Sequence, residues 1–450
     1  MSNAHAVDPA RTAHARPVAR LDLFDAVCIM IGIVVGAGIY ESPATVAANV
    51  SGPAALLLVW AAGGALALLG ALCYAELATA YPRAGGDYIY LTHAYGARVG
   101  FLFGWADLLV VRTGSIAAMA FVFSDYMARV LPLGEAASVV YAAGLVAALT
   151  LVNIIGVRHG TWAQNTLTAA KLAGLMAIMA VAVAAPVAAA PVRSSAAGGS
   201  LALALVFVLW TYGGWNENAY VAAEMKDPQT SIPRSLLLGT GVIALLYVAA
   251  NAAFVYGLGF ERLRNSSAVA VELLSGSFGA ASATVVAVLV AVSATGAVNG
   301  HILTGARMGY AVGQDHAALA RVGHWSSRYG TPARALAVQG LVTLVLIVTF
   351  GTRDGFETLV KYTAAVFWTF FFLTGLAVIV LRHREPARRR PYRVPGYPLT
   401  PLAFCASSAY MVYGSVSYAP LESLAGVAIV LSGIPVYWFS ARRRTHKESS

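Results

Sequence analysis

Apolar runs long enough to cross a lipid bilayer follow one another along almost the whole chain, and they restrict the fold more than any other feature. No water inside a bilayer can satisfy backbone N–H and C=O groups, so such a chain crosses it as helices or as a closed barrel. The runs near 22–47, 54–80, 99–128, 137–155, 165–189, 201–224, 236–258, 280–306, 335–350, 357–381, 399–418 and 421–440 have helical rather than strand length. They predict an all-α membrane protein with twelve transmembrane helices. With 59% hydrophobic and 11% charged residues among 450, the composition agrees, because a soluble chain of this length carries far more charge. The first run follows about twenty polar residues and exceeds a signal segment in length, so it is expected to stay in the mature protein.

A net charge of +10 could point to nucleic acid, but its distribution points elsewhere. With the N-terminus inside, 22 of the 30 Lys and Arg residues fall on inner segments, six fall outside, and Arg112 and Lys171 fall within spans. This asymmetry orients membrane helices and puts both termini in the cytoplasm. The basic tail at 442–447 could also meet anionic lipid. No nucleic-acid partner is expected. Cys28, Cys73 and Cys405 all lie in spans, which suits core packing rather than a disulfide framework or a metal site.

The Ala/Pro/Gly/Ser-rich piece at 185–200 reads as an external linker and divides the first ten helices into two sets of five. Each set begins with an interrupted helix. Span one carries Gly32, Gly36 and Gly38 in "IGIVVGAGIYESP", and span six carries Gly213 and Gly214 in "WTYGGWNEN". A broken helix exposes carbonyls at the end of its first half and N–H groups at the start of its second. A free amino acid carries the two complementary charges. Gly32 and Gly36 also have the spacing of a close-packing motif, so packing stands beside binding for span one alone. Five is an odd number, so two five-helix copies would run in opposite directions across the membrane.

The stretches "GIVVGAGIYESP", "YAELATAYPRAGGDYIYL" at 74–91, "YGGWNENAYVAAEMKDPQTSIPRS" at 212–235 and "SATGAVNGHILTGARMGYAVGQD" at 293–315 together resemble the APC superfamily of amino acid transporters, and within it the L-type branch. The resemblance implies an inverted-repeat fold of five plus five helices with broken helices one and six and two accessory helices. The corresponding boundaries are a tail at 1–20, a first repeat at 21–190, a second at 201–382, a basic loop with the accessory helices at 383–441 and a tail at 442–450. It also implies substrate between spans one and six. Val35, Gly36, Ala37, Gly38 and Ile39 would supply backbone groups, Tyr212, Gly213 and Gly214 the opposing wall, and Trp215 part of a gate. A packing role is the alternative for Trp215.

Lys171, in the middle of span five, is costly to bury without a role. It matches a lysine that, in relatives, stands where sodium-coupled cousins bind a cation. The expectation is a coupling residue, either titrating a proton or acting as a fixed charge that supports the break in helix one. Ser293 could bond near it, or to its own helix. Three further charges are candidates for selectivity: Glu41 directly after the first break, Arg112 in span three, and Glu217 after Trp215. Arg112 is expected to pair with Glu41, Asp107 or Glu217, the alternative being acids that face water singly. Glu76 and Glu224 read as gate or loop contacts by resemblance and as solvated helix ends on plainer grounds.

No HExxH, GxSxG or CxxC motif is present, and of nine histidines only His301 falls in a span, so neither an enzyme nor a haem or metal protein is expected, and no cofactor. Eukaryotic L-type relatives are tethered to a glycoprotein by a cysteine between helices three and four. The loop at 128–137 has none, so a disulfide-linked heavy subunit is not expected. The reading is a sodium-independent amino acid carrier of a bacterial inner membrane, an exchanger or a proton symporter working by alternating access. Neutral amino acids are favoured by resemblance, cationic amino acids or polyamines are the alternative, and a sensing receptor or channel is the reading from another class.

Overall fold

The computed structural model describes residues 17–134, 137–186, 199–351 and 355–448, with side chains as far as residue 439. Arg11, Arg16, Arg193 and Arg353, most of the 185–200 linker, two residues of the 128–137 loop and the side chains of the 442–447 tail lie outside the described residues. Among those described there is no strand, only isolated backbone bridges between Leu21 and Met225 and between Ser326 and Thr331.

Helix α1 (Leu23–Val34) opens on a reciprocal cap in which the Asp22 and Asp25 carboxylates each accept the other's backbone N–H. Two amides that a helix start leaves open are thereby satisfied. The helix stops at Val35, whose ψ of 77° lies outside the helical range. After residues 35–37 the chain resumes as α2 (Gly38–Ala48), bent from α1 by 50°. Then come α3 (Pro53–Ala80), with proline in its first turn, α4 (Asp87–Tyr95) and α5 (Ala97–Ala106). A π-helical turn over Asp107–Val111 joins α5 to α6 (Arg112–Val130). The first half ends with α7 (Ala137–Ile155) and α8 (Val157–Ala184).

The second half begins with α9 (Leu201–Thr211), capped by the Ser200 hydroxyl. Beyond it come α10 (Pro228–Leu258), α11 (Phe260–Arg264), α12 (Val269–Phe278), α13 (Ser282–Asp315), α14 (Ala333–Thr349), α15 (Gly355–Arg384), α16 (Leu399–Tyr418) and α17 (Pro420–Glu448). Among the described residues eight continuous helical segments are long and apolar enough to cross a membrane, and the bent α1–α2 pair makes a ninth. The remaining apolar runs behave differently. α9 has 11 residues and α14 has 17, while α16 has spanning length but not the same apolarity.

The expectation of a span across 201–224 with a helix on each side of Gly213-Gly214 needs correction. Only its first half is α-helical; the rest is a chain of turns with two 3-10 segments, Glu217–Ala219 and Ala222–Glu224. Gly214 carries the reversal with φ of 103°, a conformation open to glycine and strained for other residues. A Cβ there would also stand 2.7 Å from Ile33 Cγ2, so its hydrogen lets the two breaks approach. Span five starts at Val157 rather than 165, and Gln164 in its early turns is held inside the bundle. Asn299 of α13 donates to Gln164 Oε1 at 2.8 Å and accepts from Asn153 Nδ2 at 2.8 Å, joining α7, α8 and α13.

α1 is enclosed by α8, α10 and α13, while α2 lies against α9, and α6 packs on α7, α13, α14 and α15. The plainer account of Glu76 and Glu224 does not hold. Glu224 is 1% exposed and holds Arg307 of α13 through two bonds of 2.6 and 2.9 Å. Its carbonyl also accepts the N–H of Arg20 and Leu21, so the lead-in to α1 is strapped to the chain after the second break. Glu76 meets Arg382 at 2.8 and 2.5 Å and accepts the Val394 N–H at 2.7 Å. Charge-assisted, two-pronged bonds compensate for removing both groups from water. The three cysteines are buried and unpaired.

Candidate functional site

The two breaks meet at a cavity of about 140 Å³. Gly36, Ala37 and Gly38 form one side and Thr211, Gly213 and Gly214 the other. The N–H groups of Ala37, Gly38 and Ile39 make no hydrogen bond to another described residue, as befits the first turn of α2. The cavity therefore has a ready anion receptor, strengthened by the positive end of the helix dipole.

The carbonyls ending α1 are mostly taken by the protein. Lys171, 1% exposed, donates to Gly32 O at 2.6 Å, Val35 O at 3.0 Å and Ser293 O at 2.8 Å, which uses all three of its protons. Ser293 Oγ also donates to Val35 O at 2.9 Å, crossing to α1 rather than bonding its own helix. Tyr247 of α10 puts its hydroxyl 2.7 Å from Val34 O and 3.3 Å from Thr211 O, and its single proton serves the nearer. What remains in that last turn is Ile33 O, which takes no bond from another described residue and belongs to a residue lining the cavity. Lys171 and Ser293 thus hold the break from behind and do not reach the cavity. Gly296 makes room for the lysine, since a Cβ there would lie 2.8 Å from Nζ.

Tyr212 stands apart from the wall expected of it, and Trp215, expected as part of a gate, lies outside the cavity lining. Tyr212 turns its hydroxyl to Trp60 O at 3.1 Å and packs on Trp60 and Tyr247. Trp215 packs edge-on to Tyr74 and Phe404 and against Phe371. Neither lines the cavity, nor do Val35 and Ile39. Of the acids offered to Arg112, Glu217 is the partner: both its oxygens stand 2.7 Å from Arg112 Nη1. Asp107 Oδ2 lies 3.5 Å from Arg112 Nε. Glu41 is not involved; it is exposed and accepts from Tyr126 at 3.1 Å.

Several residues in or beside the cavity carry no candidate role in the sequence. His301 Nδ1 lies 3.1 Å from Arg112 Nη1, and Thr304, one turn on along α13, lies 3.3 Å from it. That i, i+3 pair of polar residues in an apolar span is the signal that could have found them. Asp87 accepts from Tyr74, from Tyr220 at 2.6 Å and from Thr374 at 2.7 Å. An acid directly after Gly85-Gly86 marks a chain reversal, and nothing in the sequence says which hydroxyls it meets. Tyr247 has no sequence signal beyond being a polar tip in an apolar helix. Phe103, Phe367, Trp368, Phe370 and Phe371 supply the apolar remainder of the wall. Among the described residues no group of side chains could hold a metal ion.

The amino acid permease family model matches residues 21–439. The b(0,+)-type amino acid transporter 1 of Rattus norvegicus is 32% identical over 447 residues, covering 96% of this chain and 90% of its own. The Asc-type amino acid transporter 1 of Mus musculus is 32% identical over 457 residues, with 95% and 83% covered. The large neutral amino acids transporter small subunit 2 of Rattus norvegicus is 32% identical over 441 residues, with 93% and 80% covered.

Proposed function

This chain belongs to the amino acid permease family, a family of membrane carriers rather than enzymes, and on that premise we propose that it moves amino acids across the membrane by alternating access. The observation that carries the reading is the meeting of two broken helices at one cavity, with Ala37 and Gly38, whose N–H groups are free, on its wall. A substrate carboxylate would bind those donors, and its α-ammonium would bind Ile33 O, the acceptor the protein leaves open.

Twelve spans complete the architecture, with 21–190 and 201–382 as inverted five-helix repeats and 383–441 carrying two accessory helices. Both termini face the cytoplasm of a bacterial inner membrane, in keeping with the basic inner loops. Transport needs no sodium, because the Lys171 ammonium fills a cation's place behind the break and its three carbonyl bonds support that role. The bundle holding spans one and six moves against the rest, as an exchanger or a proton symporter. No disulfide-linked heavy subunit is required.

A thermal-shift screen of all amino acids on purified protein tests the assignment, since a ligand of the folded state raises its stability by mass action. Counterflow in proteoliposomes follows, with amino acid on the far side accelerating labelled uptake equally with and without sodium. No shift from any amino acid together with no uptake would overturn the proposal, and uptake insensitive to far-side substrate would point to a channel.

A further inference from the structure

The cavity wall carries more negative groups than positive ones. Asp87, Asp107 and Glu217 face it beside a single cation, Arg112. Glu217 is matched by Arg112, through both oxygens. Asp87 is matched by three hydroxyls. His301 adds no positive charge: its Nδ1 faces a guanidinium, which can only donate, so that nitrogen accepts and the ring proton sits on Nε2.

Asp107 is left over. It is 1% exposed, its Oδ2 accepts no hydrogen bond, and the nearest cationic atom, Arg112 Nε at 3.5 Å, makes no bond either. A second buried acceptor without a donor, Asn216 Oδ1, belongs to another lining residue, 2% exposed. Bare acceptors of this kind cost free energy that a donor on the ligand would recover. The backbone also shows why Asp107 is there. In a regular helix residues five apart point about 140° away from each other. The π turn, with Arg112 N–H bonded to Asp107 O and Thr113 Oγ1 to Leu108 O, brings Asp107 and Arg112 to the same wall.

Resting on the reading of this cavity as an amino acid site, we propose that its substrate carries a second cationic group, an ammonium or guanidinium on the side chain, and that Asp107 is the counter-ion. The aromatic wall of Phe103, Phe367 and Phe371 would hold the methylene stem while the charged head reaches Asp107. A neutral side chain would offer no donor to Asp107 Oδ2 or Asn216 Oδ1.

Counterflow in proteoliposomes of the full chain tests this with lysine and norleucine, which share a stem and differ in the terminal ammonium, and with cadaverine, which lacks the carboxylate. Lysine is expected to compete for uptake at least tenfold better than norleucine, and cadaverine to compete worse than lysine. Asp107→Asn should lower the lysine-to-norleucine ratio at least tenfold, and Asp107→Glu should keep the lysine preference. Norleucine competing as well as lysine in the wild type overturns the inference while the carrier assignment stands. So does an Asp107→Asn variant that weakens both ligands in parallel. The wild-type ratio needs no variant, so misfolding of Asp107→Asn would not shield the proposal. Uptake of no amino acid at all removes the carrier assignment and this inference with it.

Discussion

Lys171 and Arg112 both stand inside long apolar helices, at 1% and 4% exposure, yet their charges are compensated in opposite ways. Lys171 bonds only backbone carbonyls, two from the end of α1 and one from α13. Those of α1 are open to it because the helix breaks there, so the break and the lysine form one device: the break supplies acceptors at the negative end of a helix dipole and the lysine occupies them. Arg112 bonds side chains, with Glu217 as its main partner and His301 and Thr304 beside it. Its setting depends on which residues neighbouring segments carry, not on backbone geometry. The first cation sits behind the cavity and shapes it. The second sits in the wall and sets its charge.

The largest effect expected from breaking this contrast is at Arg112. Arg112→Leu strands Glu217 in the interior and should destabilise the protein by about 3–5 kcal/mol, read as a fall in the unfolding midpoint of purified protein. Adding Glu217→Leu should recover most of that loss, and no recovery would end the claim that the two compensate each other. Lys171→Met ranks next. Removing the ammonium from three buried carbonyls, of which Val35 O keeps Ser293, should cost about 1–3 kcal/mol and abolish counterflow, whereas uptake at the wild-type rate and pH dependence would separate the lysine from the break.

Ser293→Ala removes one of two donors to Val35 O and should cost about 1 kcal/mol, with counterflow slowed but measurable. An effect as large as that of Lys171→Met would move the main support of the break from the ammonium to the hydroxyl. The smallest change is expected at Glu41→Gln, within about 0.5 kcal/mol and with the lysine-to-norleucine ratio unaltered, because that acid is exposed and bonds only Tyr126. A changed ratio would return Glu41 to the site.

The broken helices were legible because their cause is local. Gly36 and Gly38 in an apolar run, and Gly213-Gly214 in another, mark places where a helix is weak whatever surrounds it. The partner of Arg112 was not legible, since Glu41, Asp107 and Glu217 are all acids near a break and sequence distance does not rank them. The buried states of Glu76 and Glu224 escaped for the same reason: each is decided by an arginine more than 80 residues away, Arg382 and Arg307. Span six was read as helix on both sides of Gly213-Gly214, but the stretch after the break carries Asn216, Glu217, Asn218 and Glu224 and forms 3-10 turns, the first of which contacts α1.

Sequence by itself determined that the chain is a helical membrane protein with two interrupted helices and two cations in its spans, because hydropathy and helix weakness are properties of short stretches. Tertiary structure alone decided which carbonyls the lysine takes, which acid answers Arg112, and that Asp107 is left facing the cavity without a donor. Those outcomes depend on where α8, α10 and α13 pack around α1 and on one extra residue in the turn before α6, and contacts between distant segments form only when the chain is folded.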